Sequence, residues 1–117
     1  MSIKTIRSLC SAALFTLTFL CSPLALAAEK IWIDVRSAEE FQAGHLEGAV
    51  NIVHTDIAAK IASVTQDKNA EIQLYCRSGR RSGLAEAELK KLGFTNVHNA
   101  GGYEALKTAV AKGSIPD

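Results

Sequence analysis

The run Cys76-Arg77-Ser78-Gly79-Arg80-Arg81-Ser82 holds the residues of this chain best suited to chemistry. A short apolar segment, Ile72-Gln73-Leu74-Tyr75, precedes it, and a helix-like segment from Ser82 to Leu92 follows. A thiol at the end of a strand, above a helix N-terminus and beside three arginines, ionises readily. Positive charge and the helix dipole both favour the thiolate. A thiolate is already a nucleophile and needs no general base. A free cysteine more commonly packs as a small hydrophobe, but three arginines and a glycine are poor company for that role. The pattern predicts a nucleophilic Cys76.

The elements that must position this loop are legible on either side of it. Ile31-Trp32-Ile33-Asp34-Val35 reads as a short buried strand. Ser37-Ala38-Glu39-Glu40 reads as a capping box that opens a brief helix ending at Gly44. Gly48 to Ile52 is a second short strand, and Thr55 or Asp56 can cap a helix through Ala58, Ile61 and Ala62. Asp67-Lys68-Asn69 is a polar turn before the central strand, Ile72 to Tyr75. Leu84, Ala85, Ala87, Glu88 and Leu92 give an amphipathic helix that stops at Gly93. Asn96 to Asn99 is a last strand, and Gly101-Gly102 opens a helix over Tyr103 to Lys112. Trp32, Phe41, Leu84, Leu89, Leu92 and Phe94 are the expected core. Strands alternating with helices predict a single α/β domain with a mostly parallel sheet flanked by helices. Sites in such sheets form beyond the carboxyl ends of the strands. Cys76, Arg36 and Gly101-Gly102 all fall at such ends.

The N-terminus reads as a secretory signal peptide over residues 1–27. Lys4 and Arg7 form a basic start, Leu9 to Leu20 is mostly apolar and uncharged, and Ala25-Leu26-Ala27 supplies small residues before a cleavage point. The apolar run is shorter than the ~20 residues of a membrane span, and Thr18-Phe19-Leu20 lacks the small residues of a lipobox before Cys21. Export to a periplasm follows, leaving residues 28–117 as the mature domain. Removal of the leader takes thirteen basic residues to eleven against twelve acidic, a net charge of −1. That balance excludes a general nucleic-acid binder or a membrane-surface binder. Cys10 and Cys21 leave with the leader, so Cys76 cannot form an internal disulfide and stays available for chemistry.

Four stretches, taken in order, resemble the rhodanese-like family, and within it the small periplasmic single-domain sulfurtransferases of the phage-shock protein E type. Ile33-Asp34-Val35-Arg36 resembles the family's first strand. Gly44-His45-Leu46-Glu47-Gly48-Ala49-Val50-Asn51 resembles its glycine-histidine signature, Cys76 to Arg81 its active-site loop, and Asn99-Ala100-Gly101-Gly102-Tyr103 its C-terminal signature. The resemblance implies that Cys76 attacks the outer sulfur of a donor such as thiosulfate, releases sulfite and carries a persulfide. A thiophilic acceptor, such as cyanide or a thiol, then removes the sulfur. It implies that the amides of Arg77 through Arg81 form a nest for the sulfur charge. Among the arginines it favours Arg77 and Arg81 for substrate contact, with Arg80 less so. It makes Arg77, Ser78, Gly79, Arg80 and Arg81 candidate substrate-binding residues, with Arg36 beside them; Asp34 and Arg36 mainly orient the nearby loops, and Arg36 can add positive field at Cys76. No cofactor is implied.

Two other readings share these residues. A cysteine phosphatase or arsenate reductase uses Cys-x5-Arg, whereas here Arg81 gives Cys-x4-Arg, Ser82 stands at the phosphatase position and Tyr75 replaces the usual histidine. A persulfide carrier would pass sulfur between protein partners without turning over small donors. A thioredoxin-type role lacks its Cys-x-x-Cys. His45, His54 and His98 lack metal-ligand spacing, and His45 reads as a loop or core histidine with a hydrogen-bonding role.

Overall fold

The computed structural model describes residues 30–113. The leader expected over residues 1–27 and the last four residues of the tail lie outside the described residues. Four strands form one parallel sheet: β1 (Ile31–Asp34), β2 (Val50–Asn51), β3 (Ile72–Cys76) and β4 (Val97–Gly102), in the order β2-β1-β3-β4. Between them lie α1 (Ala38–Ala43), α2 (Ile57–Lys60), α3 (Arg80–Lys91) and, after β4, α4 (Tyr103–Ala111). This is the α/β domain with a parallel sheet expected from the alternation of strands and helices.

Strand period two sorts the side chains. Ile33 and Val35, with Ile72, Leu74 and Cys76 of β3, face Ala85 and Leu89 of α3 and Ile57 and Ile61 around α2 in the main core. Tyr75, one residue out of phase, faces the opposite layer with Leu46, Leu106, Trp32 and Tyr103. The alternation therefore points Cys76 toward α3 and sends Tyr75 away from it.

Several boundaries differ from the sequence expectation. The capping box forms as expected: Ser37 Oγ accepts from Glu40 N at 3.2 Å and Ser37 N donates to Glu40 Oε1 at 3.1 Å. The strand expected over Gly48 to Ile52 shrinks to two residues. The expected helix after it breaks into a 3-10 turn (His54–Asp56), the four-residue α2 and a second 3-10 turn (Ile61–Ser63), with no side-chain cap from Asp56. α3 begins at Arg80 rather than Ser82. Its inward stripe is Ser82, Ala85 and Leu89, so Leu84 lies off that stripe and is 51% exposed. Leu92 follows the last helical residue and is 42% exposed, while Phe94 folds back under Leu89 O and is buried. Trp32 and Phe41 are half-buried rather than core; Phe41 stacks on exposed His45 with centroids 3.6 Å apart. β4 runs past the expected end at Asn99 through Gly101 and Gly102, and Gly102 is also the N-cap from which α4 opens.

Candidate active site

Cys76 ends β3 and is fully buried, packed as a core residue on its Cβ side. The sulfur, however, meets polar groups. The chain bends through Arg77 and Ser78 to Gly79, whose φ of 95° places it in the left-handed region that favours glycine. That bend aims Gly79 N at Cys76 Sγ, 3.0 Å away, and starts α3 one residue later. Ser82, in the first turn of α3, holds its Oγ 3.6 Å from the same sulfur. The thiol titrates at about 7: burial pushes it up, but the Ser82 hydroxyl and the amides of Ser82, Ser78 and Gly79 pull it down by more.

β4 braces this cradle from beside. A bulge in the β3–β4 register, between Leu74↔Asn99 and Tyr75↔Gly101, leaves Ala100 unpaired. Asn99 then clamps three segments: its Nδ2 donates to Gly79 O at 2.8 Å, and its Oδ1 accepts from Gly101 N at 3.0 Å and from Ser82 Oγ at 2.6 Å. A Cβ placed on Gly102 would lie 2.6 Å from Arg77 O, so the strand end and the loop pack with no room between them.

The charged residues lie farther out. Arg81, expected to contact substrate, is held by a bidentate pair with Glu40 of α1, at 2.8 and 3.1 Å. Its bonds hold the Glu40 carboxyl down to about 2, against the opposing effect of burial. Arg36 is buried, its Nε and Nη2 on the Asp34 carboxylate and Nη2 also 2.6 Å from Gly44 O, with its guanidinium 4.4 Å from the Tyr103 ring. Arg36 is thus chiefly a structural clamp between β1, α1 and α4. Arg77, Ser78 and Arg80 are exposed. Arg77 lines a cavity of about 390 Å³ with Arg36, Glu40, Gly44, Tyr103, Glu104 and Lys107. Among the described residues no arginine donates a hydrogen bond to Sγ. The groups that lower the thiol are the Ser82 hydroxyl and the amides of Ser82, Ser78 and Gly79, which are the expected loop nest and helix start; the expected leading part of the arginines is corrected.

Sequence reasoning did not assign Ser82, Asn99 or Lys107 to the site. Ser82 was legible as the polar residue one helical turn into α3. Asn99 and Lys107 reach the site only through the pairing of β4 with β3 and the packing of α4.

A parallel sheet with a cysteine at the carboxyl end of β3, under a loop that folds directly into α3, is the arrangement the resemblance to the rhodanese-like family implied. The Rhodanese-like domain profile matches residues 24–109, and the chain belongs to that family, an enzyme of the sulfurtransferase class. It is 40% identical over 90 residues to the thiosulfate sulfurtransferase PspE of Escherichia coli, covering 77% of this chain and 86% of that protein. It is 35% identical over 104 residues to the chloroplastic thiosulfate sulfurtransferase 16 of Arabidopsis thaliana, covering 80% and 82%. A solved structure described as rhodanese with anions from E. coli superposes with a TM-score of 0.63 at 42% identity, over 65% of this chain and 89% of that one.

Proposed function

We propose that this protein transfers a sulfane sulfur from thiosulfate, or from a persulfide donor, to a thiophilic acceptor through a persulfide on Cys76. The observation that carries the reading is the cradle: Gly79 N lies 3.0 Å and Ser82 Oγ 3.6 Å from Cys76 Sγ, and these contacts lower the thiol to about 7 against its burial. A thiol lowered from its ordinary value supplies thiolate at neutral pH. The thiolate attacks the outer sulfur of thiosulfate, the S–S bond of the donor breaks, and sulfite leaves with the bonding pair. The acceptor, cyanide or a thiol, then attacks the outer sulfur of the persulfide, and Cys76 departs as thiolate. The cradle amides hold sulfur charge in both states. The cavity that Arg77 lines lies beside the cradle loop and is the approach open to the donor. Arg77 and Lys107 are the cations there that can meet a dianion, since Arg36 and Arg81 are already engaged.

The two relatives named for thiosulfate support the donor. The Cys-x4-Arg spacing, with Ser82 where a phosphatase carries its arginine, argues against a phosphatase. The leader reading places the working protein, residues 28–117, in a periplasm. No helix of the described residues is long and apolar enough to cross a membrane.

Intact-protein mass spectrometry with and without thiosulfate tests the proposal. The protein is expected to gain the mass of one sulfur atom, to lose it on addition of cyanide, and to be found without residues 1–27 when recovered after export. Cys76→Ser is expected to keep its fold by circular dichroism, gain no mass and form no thiocyanate. Thiocyanate production by the serine protein removes Cys76 from the nucleophile's role. Failure of thiosulfate with success of a protein persulfide donor leaves the persulfide carrier as the function.

A further inference from the structure

The hydrogen bonds around Ser82 contain a conflict. A serine hydroxyl has one proton to donate, and two acceptors lie within its reach: Asn99 Oδ1 at 2.6 Å and Cys76 Sγ at 3.6 Å. The orientation of the Asn99 amide is fixed by its other partners. Its Nδ2 must face Gly79 O and its Oδ1 must face Gly101 N. Oδ1 can only accept, so at 2.6 Å the Ser82 proton points to Asn99. The oxygen lone pairs then face the sulfur. That arrangement suits a neutral thiol, whose S–H donates to Ser82 Oγ, but opposes a thiolate.

We propose that Asn99 is a positioning residue that parks the Ser82 proton away from Cys76 until the sulfur carries charge. When Cys76 is a thiol, the chain of donors runs Sγ–H to Ser82 Oγ–H to Asn99 Oδ1. When the sulfur gives up its proton to solvent, the hydroxyl turns about its C–O bond and donates to the thiolate, with no heavy atom displaced. Once Cys76 carries the persulfide, the charge moves to the outer sulfur and the hydroxyl returns to Asn99. A charge-assisted bond to sulfur outweighs the neutral bond it replaces, so the turn is downhill in the thiolate state. Asn99 therefore works against ionisation and keeps the resting cysteine from being fully ionised. The inference rests on Cys76 being the reacting sulfur, but its readout does not require turnover.

The charged groups around the cradle are Arg77, Arg80 and Arg81 on the loop and α3, with Glu40 of α1 paired to Arg81 and Arg36 paired to Asp34 beyond it. Arg81 is close enough to Cys76 for their charges to interact. Substitutions at Ser82 and Asn99 leave all of these in place, so a changed titration of Cys76 reports hydrogen bonding.

The test is a double-mutant cycle of Ser82→Ala and Asn99→Leu, read by the pH dependence of thiolate ultraviolet absorbance as the difference from the same protein carrying Cys76→Ser. Ser82→Ala is expected to raise the Cys76 pKa. Asn99→Leu also removes the brace on Gly79, and its effect in the Ser82→Ala background measures that brace alone. Relative to that background, Asn99→Leu with Ser82 present is expected to lower the Cys76 pKa, by about half a unit or more, the scale of one hydroxyl hydrogen bond. A coupling of zero, or of the opposite sign, overturns the proposal and leaves Asn99 as a brace of the loop. Asn99→Asp gives a second measurement: its carboxylate grips the Ser82 proton more tightly, so the Cys76 pKa is expected to rise by more with Ser82 present than in Ser82→Ala. An equal rise in both backgrounds overturns the proposal as well, since simple charge repulsion needs no serine. Absence of sulfur transfer by the wild-type protein, together with the expected coupling in the variants, would count against the proposed function and not against the relay.

Discussion

The floor and the rim of the site are built from different chemistry. The floor around Cys76 Sγ is neutral: a glycine amide, a serine hydroxyl and, behind them, the Asn99 amide. The rim is charged, but its charges are unequal in freedom. Arg81 and Arg36 are locked in ion pairs with Glu40 and Asp34, while Arg77, Arg80 and Lys107 carry no ion pair among the described residues. Fixed dipoles in a buried place stabilise a developing charge without drawing in water. Mobile cations at a surface gather an anion but are screened. In the proposed reaction the floor therefore governs whether the sulfur reacts, and the rim governs what it reacts with. Variants of the two regions are expected to fail in different ways.

Breaking the floor has the larger effect. Gly102→Ala puts a Cβ 2.6 Å from Arg77 O, a backbone atom that cannot swing aside. Gly102 itself has an ordinary φ of −104°, so the cost is overpacking alone, about 1–3 kcal/mol. For a domain of this size that is a fall in Tm of roughly 4–8 °C per kcal/mol. Because the displaced segment carries the amides that face Sγ, persulfide formation is expected to fall further than stability does. Thermal melts and single-turnover sulfur loading separate the two. A variant that loads sulfur at the wild-type rate would show that Arg77 can move without disturbing the cradle.

Much of the fold was legible because its signals are local. The Ser37–Glu40 box, the stop at Gly44 and the apolar phase of Ile72 to Cys76 each depend on neighbours within a few residues. The expectations that failed depend on distant partners. Leu84 and Leu92 match the helical period, yet the stripe that meets the sheet is set by Gly79, which starts α3 at Arg80 and turns Ser82, Ala85 and Leu89 inward. The site shows the same division. Cys76 and its loop are contiguous and could be read directly. That Arg81 is taken by Glu40, 41 residues earlier, and that Asn99 reaches Ser82 across the β4 bulge, follows only from the packing of the sheet and helices.

At the rim, Arg77→Ala is expected to raise the KM for thiosulfate. A charge-assisted contact of about 1.5–3 kcal/mol corresponds to a loss of about ten- to a hundredfold in kcat/KM. The thiolate titration should stay close to wild type, since Arg77 does not hold the sulfur. Arg81→Ala is expected to cost less in KM, because its guanidinium already serves Glu40. Steady-state kinetics with thiosulfate and with an uncharged persulfide donor, at low and high salt, check both. Equal losses for the two variants would place Arg81 among the substrate contacts despite its partner.

The smallest expected effect concerns the Glu40–Arg81 pair itself. Glu40 is lowered from an ordinary value near 4.5 to about 2. A carboxyl whose pKa falls on folding stabilises the fold above its unfolded value, and the contribution is lost as pH falls from about 4.5 through about 2. The stability gap between wild type and Glu40→Gln is therefore expected to be greatest near neutral pH and to close across that acid range. It should be modest throughout, since both side chains touch solvent and the pair is screened. The same substitution has a second consequence at neutral pH. With its carboxylate gone, Arg81 turns from a structural cation into a free one beside the cavity. Thiosulfate KM is expected to fall in Glu40→Gln, and Arg81→Ala should then cost more in that background than in wild type. If Arg81→Ala costs the same in both, the pair never limited the access of Arg81 to the donor, and the rim's selectivity rests on Arg77 and Lys107 alone.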